Sequence, residues 1–567
     1  MTSEARDGLV VAALALIVAL AGVFTLPVLD RDEARFAQAS LQMLERSDFI
    51  DIRFQDAPRH KKPAGAYWLQ AGAAAMLAPP PERAIWAYRL PSVLAAVLGA
   101  WLCWRIGQTL FDARAALIGG ALFAASLVLG AEAGIAKADA LLCASVCAAM
   151  AGLAHLRFVG PSPVWATIIW AALGASVLIK GPVGPMVIGL AVLTLTVWER
   201  RAAWLRPLAS FWGPFIATVI ALPWFVAVQI ATDGAFLATA IGEDLAPKLA
   251  GGQESHGAPV GTHAALAPLL VFPITIALAP ALVSAWRAAR SSPRADTHAP
   301  WRFLIAWTAP AWLVFELAPT KLAHYTLPLH AALALMVGAA ICAGDRFPAS
   351  RRVSAVLTAL VGLLLAAVCL GLGIGSDGVL AALDPPFVLT VISVGSIGAL
   401  SLTAAICVWR DQRMPAVCFA VAAALCVHGG VRGLLAPQAG ALWVSARLDQ
   451  ALWETDLHPR GPGERAPLGV YGFSEPSLIF LTRTDTRLFD TPQAAAEALA
   501  AGELSALAVS VAVTEDPRET AIGALGAPVR ALNGLNYSKG QMVRVSLFGP
   551  PAQTEPAATA AAPAVQR

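Results

Sequence analysis

Charge is what this chain has least of. Only 14% of its 567 residues are Asp, Glu, Lys or Arg, against about a quarter in an average soluble domain. So sparse a set cannot present a polar surface to water, which excludes a wholly water-soluble fold. An excess of one sign is missing too. The net charge is +3, no basic block or RNA-binding motif occurs, and nucleic acid is excluded as a partner. Cysteine pairs are absent. Cys103, Cys143, Cys147, Cys342, Cys369, Cys407, Cys418 and Cys426 all lie in apolar stretches, with no CxxC among them, so there is no disulfide framework to read. Cys143 and Cys147 are spaced to share a helix face, but small buried apolar residues explain them better than a metal site. No internal repeat is visible.

What is present is apolar sequence. Hydrophobic residues make up 57% of the chain, gathered into runs of about 20 residues, the length of a transmembrane helix. About thirteen spans are expected, near 8–28, 84–107, 114–131, 138–156, 162–179, 183–198, 206–231, 264–289, 301–318, 324–343, 352–374, 385–408 and 414–435. The fifth and sixth are short and divided by Lys180-Gly181-Pro182, so one broken hairpin is an alternative. Ala19-Leu20-Ala21 resembles a signal cleavage site. The run is too long for a signal peptide and its leading segment is not basic, so it reads as a retained first helix.

Basic residues orient these spans. With the N-terminus in the cytoplasm, fifteen arginines fall in cytoplasmic loops: Arg105, Arg114, Arg157, Arg200, Arg201, Arg206, Arg287, Arg290, Arg294, Arg302, Arg346, Arg351, Arg352, Arg410 and Arg413. The short opposite loops hold three cations, Lys137, Lys180 and Lys321. The positive-inside rule selects this orientation. It places two long loops outside, 29–83 and 231–263. In the first, Glu33 to Arg46 reads as an amphipathic helix with Phe36, Ala39, Ser40, Met43 and Leu44 on one side. Ala64 to Leu77 reads as a second, apolar enough to lie on the membrane. Glycines at 251, 252 and 257 give the second loop freedom to move.

Composition changes after about Ala439. Leu468 to Phe473 and Met542 to Leu547 read as strands, and Thr491 to Ala501 as a helix capped by Thr491. The expected domains are therefore a membrane domain at 1–438, a small soluble α/β domain at 439–549, and an Ala- and Pro-rich disordered tail at 550–567.

Ionisable residues concentrate on the outer side. Asp30-Arg31-Asp32-Glu33-Ala34-Arg35-Phe36 follows the first span. Acids there suit a helix start, or else a carboxylate that takes a proton from an incoming hydroxyl. Arg59-His60-Lys61-Lys62-Pro63 is either a headgroup-binding patch or a phosphate-binding segment that stabilises a leaving group. Asp139 opens the fourth span, where capping explains it as well as function does. Lys180 and Lys321 stand at outer helix ends, where snorkelling is the ordinary explanation. Glu243, Asp244, Lys248, Glu254, His256 and His263 share the second long loop, and their spacing fits no standard metal motif. The span middles carry almost no charge, whereas a transporter needs polar groups and broken helices near the midplane.

One set of motifs carries a resemblance. Asp32-Glu33-Ala34-Arg35-Phe36-Ala37, Lys62-Pro63, Tyr67-Trp68, Lys180-Gly181-Pro182, and Lys321-Leu322 with Tyr325 and Pro328 occur in that order. With them the chain resembles, over residues 8–345, the aminoarabinose transferases, relatives of the protein O-mannosyltransferases. Tyr471 to Leu478 and Asn536-Tyr537-Ser538 look like that family's C-terminal periplasmic domain. The resemblance implies a polytopic α-helical GT-C fold in a bacterial inner membrane. It also implies an inverting glycosyltransferase, facing the periplasm, that moves a sugar from a polyprenyl phosphate to an acceptor such as lipid A or another lipopolysaccharide part. It marks Asp32 as catalytic base and Asp139 as a second catalytic acid of the cavity. It marks Arg35, Lys62 and Tyr325 as donor-phosphate contacts, with Glu33, Lys180, Glu243, His256 and Lys321 as further substrate-binding positions. Alternatives are protein O-glycosylation by the same fold, and a transporter or flippase of lipid-linked sugar. No nucleotide is released, so a metal to bridge a diphosphate is not obligatory, and no cofactor is certain. Many relatives hold a metal-binding acid where this chain has Lys61. A cation there disfavours a divalent metal, for which His256 is the candidate ligand that remains.

Overall fold

The structure is a computed structural model that describes residues 3–246, 257–292, 296–344, 348–373, 387–513 and 525–550. The chain divides into two compact units, Met1–Ala439 and Gly440–Arg567.

The first unit is helical. Each of the thirteen apolar stretches contains helix, but eight helices are long and apolar enough to cross a membrane by themselves. Two bent pairs bring that to ten, Ala113–Ala124 with Leu127–Ala133 at 55° and Thr262–Leu270 with Ile274–Arg290 at 105°. The remaining three stretches, Ser3–Leu20, Val183–Glu199 and Ala299–Leu317, are helices that fall outside that count. The chain is a multi-pass membrane protein. The site is built by α1 (Ser3–Leu20), α2 (Asp32–Arg46), α3 (Gly65–Leu77), α4 (Ile85–Leu110), α5 (Ala113–Ala124), α6 (Leu127–Ala133), α7 (Asp139–Phe158) and α8 (Pro163–Lys180). Two-residue strands β1 (Arg53–Phe54) and β2 (Ala57–Pro58) pair antiparallel between α2 and α3.

Small residues let these helices approach closely, as lipid-embedded packing requires. A Cβ added at Gly65 would stand 2.8 Å from the Leu178 carbonyl oxygen, so this glycine seats the start of α3 on the end of α8. That contact brings the 59–63 segment to Lys180. The bend after α1 rests on Gly22, at φ +81°, whose added Cβ would meet the Arg432 carbonyl at 2.6 Å.

The expected one-sided burial of α2 is corrected. Phe36, Ala39, Ser40 and Met43 are buried, but so are Glu33, Ala34, Ala37, Gln38, Leu41 and Gln42. On the polar side Gln42 donates to the Gln55 carbonyl at 2.9 Å, and on the expected side Ser40 donates to Gln70 Oε1 of α3 at 3.0 Å. On α3, Tyr67, Gln70, Ala71 and Ala74 are buried, while Leu69, Met76 and Leu77 are exposed.

The second unit is a mixed five-stranded sheet of order β4-β3-β5-β7-β6, from β3 (Leu468–Tyr471), β4 (Arg487–Phe489), β5 (Ala506–Ala512), β6 (Arg530–Asn536) and β7 (Gln541–Phe548). β3 runs parallel to β4 and β5, and β7 antiparallel to β5 and β6. Alternation along the strands sends Val470, Ala508 and Val545 to helix Val444–Glu454. Leu507 and Val509 face helix Pro492–Ala500 instead. The side chain of Thr491 caps that helix by accepting from Ala494 N. The stretch 551–567, expected to be a disordered tail, lies outside the described residues.

Candidate active site

A buried ion pair sets the geometry. Arg89 of α4 and Glu33 of α2 have fully buried side chains. Arg89 donates to both Glu33 oxygens at 2.8 Å, and its remaining N–H groups go to the carbonyls of Val23, Leu26 and Pro27 at 2.8–2.9 Å. Glu33 also accepts from Leu29 N and Ala136 N, each at 2.9 Å. Every strong site on both groups is used, the condition under which a buried pair is tolerated. The pair ties the turn after α1, the start of α2 and the loop between α6 and α7 into one piece. Glu33 thus takes a structural place and is not in the lining of the adjoining cavity. Arg89 was not legible as a site residue, although a cation inside an apolar run is itself a signal.

Beside this clamp opens a cavity of about 290 Å³, of the order of the smaller ligand sites. It is lined by Asp30, Arg31, Asp32, Arg35 and Phe36 from α2 and its approach. Arg59, Lys61 and Lys62 contribute from the segment before α3, and Lys137, Ala138, Asp139 and Lys180 from α7, α8 and the loop ahead of α7. Thr320, Leu322, His324 and Tyr325 complete it. Seven of these side chains are cationic and three are carboxylates. Of the expected residues, Asp32, Arg35, Lys62, Asp139, Lys180 and Tyr325 are brought together here, with Lys61 among them.

Asp139 is fully engaged. It pairs with Lys180, and lies 3.7 Å from Lys137 Nζ and 3.6 Å from His324 Nε2. Glu132 of α6 extends this cluster, 3.2 Å from Lys137 and 3.5 Å from His324 Nδ1. Burial works against the charge on Lys137, but Glu132, Asp139 and Asp32 outweigh it and hold its ammonium well above the usual lysine range. Lys180 also sits over the Tyr325 ring, 5.4 Å from its centroid. An acid this saturated is poorly suited to take up a proton. Asp32 contrasts with it: it is exposed to the cavity, and among the described residues no hydrogen bond or ion pair holds its carboxylate.

The other expected residues lie elsewhere. Lys321 donates to the carbonyls of Ala258 and Ala318 at 3.0 and 2.6 Å, where it pins backbone and does not line the cavity. Glu243 lies in the helical turn Ala240–Leu245, exposed and outside the lining. His256, Lys248 and Glu254 lie outside the described residues. His60 is buried and held by Asp51 at 2.9 Å. Among the described residues, no group of three or more His, Cys, Asp or Glu is arranged to hold a metal ion. Glu132 and Asp139 hold lysines, and Lys61 stands in the wall. His324 and Glu132 escaped the sequence reading. The signals were there: His324 adjoins Tyr325, and Glu132 ends an apolar run.

A family model described as dolichyl-phosphate-mannose-protein mannosyltransferase matches residues 61–227. The undecaprenyl phosphate-alpha-4-amino-4-deoxy-L-arabinose arabinosyl transferase of Pseudomonas aeruginosa is 26% identical over 317 residues, 55% of each chain. The like-named protein of Pectobacterium carotovorum is 26% identical over 382 residues, 64% of this chain and 65% of that one. The chain thus spans little more than half the length of the first of these curated relatives. The crystal structure of ArnT from Cupriavidus metallidurans bound to undecaprenyl phosphate superposes with a TM-score of 0.73 at 18% identity, covering 97% of this chain and 99% of that one. Its apo form gives 0.70, with 96% and 98% covered at 18% identity. The fold is therefore of the GT-C type, a polytopic helical body with a small C-terminal α/β domain.

Proposed function

We propose that this chain is an integral membrane glycosyltransferase. It moves a sugar from a polyprenyl-phosphate donor to a hydroxyl acceptor by one inverting displacement, on the periplasmic side of a bacterial inner membrane. The acceptor is lipid A or another part of lipopolysaccharide. One observation carries this reading: Asp32, whose carboxylate no hydrogen bond or ion pair holds among the described residues, faces a cavity wall of lysines and arginines. Attack of a hydroxyl on an anomeric carbon needs a base within reach, and the departing lipid phosphate needs cationic donors where its charge grows. Asp32 takes the hydroxyl proton. Arg35 and Lys62 receive the phosphate, together with Tyr325. Asp139, held by Lys180, Lys137 and His324, acts as a charge hub that keeps both lysines in the wall. The acceptor oxygen attacks from the face opposite the phosphate, so the anomeric configuration inverts.

The relatives named for an undecaprenyl phosphate donor support the donor class. A second acceptor class, a protein hydroxyl, is favoured by the mannosyltransferase family match over 61–227. Mass spectrometry of the lipid A, core and O-chain fractions separates the two, comparing cells that hold the wild-type chain, no chain, or Asp32→Asn. A glycan mass lost from both deficient strains supports lipopolysaccharide. Identical profiles in all three, with a glycan lost from envelope proteins, support the protein acceptor. Identical profiles in every fraction, with lipid-linked sugar piling up on one leaflet of the deletion strain, support transport instead.

A further inference from the structure

The cations of the cavity differ in what holds them. Lys137 and Lys180 answer Glu132 and Asp139, two lysines against two carboxylates, a set balanced within itself. Arg59 is held by its backbone and its stem instead. Its backbone N–H donates to the Ile52 carbonyl at 2.7 Å, and the next residue, His60, is buried and pinned to Asp51 at 2.9 Å. Its Nε donates to the Tyr67 hydroxyl at 3.0 Å, and its guanidinium lies over Phe36, 5.4 Å from the ring centroid. Phe36 and Tyr67 are both buried and stack on each other at 4.6 Å, which fixes the two rings that hold it. What is left over is the pair of Nη groups. Arg59 lines the cavity, and among the described residues no hydrogen bond or ion pair takes these two groups.

We propose that Arg59 is a further contact for the donor phosphate, and that Tyr67 and Phe36 are positioning residues that act through it. This inference rests on the glycosyltransferase reading above and adds three residues to it. A guanidinium presents its donors as a planar fork, and two of its N–H groups match the two non-bridging oxygens of a phosphodiester. A loose arginine gives up the rotamer freedom of a long side chain when it binds in this way. Arg59 has already given it up, because backbone, hydroxyl and ring hold the stem. Pre-organisation of this kind turns a contact into affinity. When the bond from the anomeric carbon to the phosphate oxygen breaks, its electron pair stays on the phosphate. The dianion that forms meets a fork already aimed at it, with no rearrangement needed as the charge grows. The place in the chain agrees. Arg59 and Lys62 belong to one segment, which Gly65 seats on the end of α8. Phe36 follows Arg35 on α2. The groups that hold Arg59 thus adjoin both Arg35 and Lys62, the residues already assigned to the phosphate.

Binding of undecaprenyl phosphate to the full chain in lipid nanodiscs tests this with a ligand that carries no sugar. Arg59→Gln should weaken binding by about tenfold or more, with thermal unfolding near wild type. Arg59→Lys keeps the charge but neither the fork nor the bond to Tyr67, and should recover only a small part of the loss. Tyr67→Phe should cost about threefold in the wild-type background. Once Arg59 is Gln it should cost nothing further, because Tyr67 then has nothing left to position. Phe36→Leu should follow the same pattern. An undiminished affinity in Arg59→Gln, or full recovery by Arg59→Lys, would overturn the proposal. So would a loss on Tyr67→Phe that is equally large in both backgrounds. Lipid A alone, offered to the same variants, separates a phosphate on the acceptor from that of the donor. A loss for lipid A, with undecaprenyl phosphate bound as before, would move Arg59 to the acceptor and end this assignment. If undecaprenyl phosphate binds wild type and Arg59→Gln alike, the glycosyltransferase reading stands and this inference falls. If it does not bind the wild-type chain, the reading of the donor class falls first and takes the inference with it.

Discussion

Asp32 and Glu33 are neighbours in sequence with opposite fates. Glu33 is sealed against Arg89, both of its oxygens taken by guanidinium and backbone N–H groups. Asp32, one residue earlier, faces the cavity. Successive residues at a helix start point about 100° apart, so one position is turned into the protein and the other out of it. The difference teaches how this site is made. The saturated pair fixes the backbone from which the unsaturated carboxylate projects, and rigid support of this sort is what gives a catalytic group its geometry.

The comparison would break most visibly at Asp32. Asp32→Asn keeps the shape and removes the base, and the initial rate of sugar transfer should fall by about 10²–10⁴-fold. Donor binding and thermal unfolding of the variant should stay near wild type. A variant that transfers sugar at an undiminished rate would return the base role to Asp139.

Next in size is the clamp. Arg89→Ala leaves Glu33 buried without its counter-ion, and unfolding in detergent should show a loss of about 3–5 kcal/mol. Replacing both partners by apolar residues, Arg89→Met with Glu33→Leu, should cost less than Arg89→Ala alone. Breaking a buried pair strands a charge, whereas replacing it does not. If Arg89→Ala instead leaves stability intact and weakens donor binding, Glu33 belongs with the substrate after all.

The same contrast explains what could be read from the sequence. Apolar length places helix in every expected span, because in lipid the backbone must bond to itself. The open residues of the cavity were legible as well: Asp32, Lys62, Asp139 and Lys180 are charges at helix ends beside apolar runs, out of keeping with their surroundings. Buried partners were harder. Nothing local distinguishes Glu33, which reaches Arg89 some fifty residues on, from Asp32. That distinction depends on which side of α2 meets α4. Lys321 misled for the same reason. The places where spans bend were not legible either: the breaks at Ser126 and between Leu270 and Ile274 divide single apolar stretches into two helices each.

Lys321 belongs on the clamp side of the comparison. Its ammonium spends itself on two carbonyls, one on each side of the bridge between Gly257 and Thr320. Hydrogen bonds from charged groups contribute about 1.5–3 kcal/mol, so Lys321→Met should lower unfolding stability by about that much while KM for the donor changes little. A raised KM with unchanged stability would place Lys321 among the donor contacts.

Lys180 tests the middle ground, and there the expected effect is smallest. It is a cavity cation and a partner of Asp139 at once. Lys180→Met does not strand Asp139, because Lys137 at 3.7 Å and His324 at 3.6 Å remain beside it. The fold should hold. What is lost is one cation of the wall, and the affinity for undecaprenyl phosphate should drop about tenfold, the equivalent of about 1.4 kcal/mol. The turnover of bound donor should fall less, because an interaction present in both ground and transition state moves KM more than kcat. The opposite split, a large loss of kcat at constant KM, would mean that Lys180 meets the phosphate only as its negative charge develops. The wall of lysines would then act on the transition state, and the balanced set around Asp139 would be as much a part of the chemistry as Asp32.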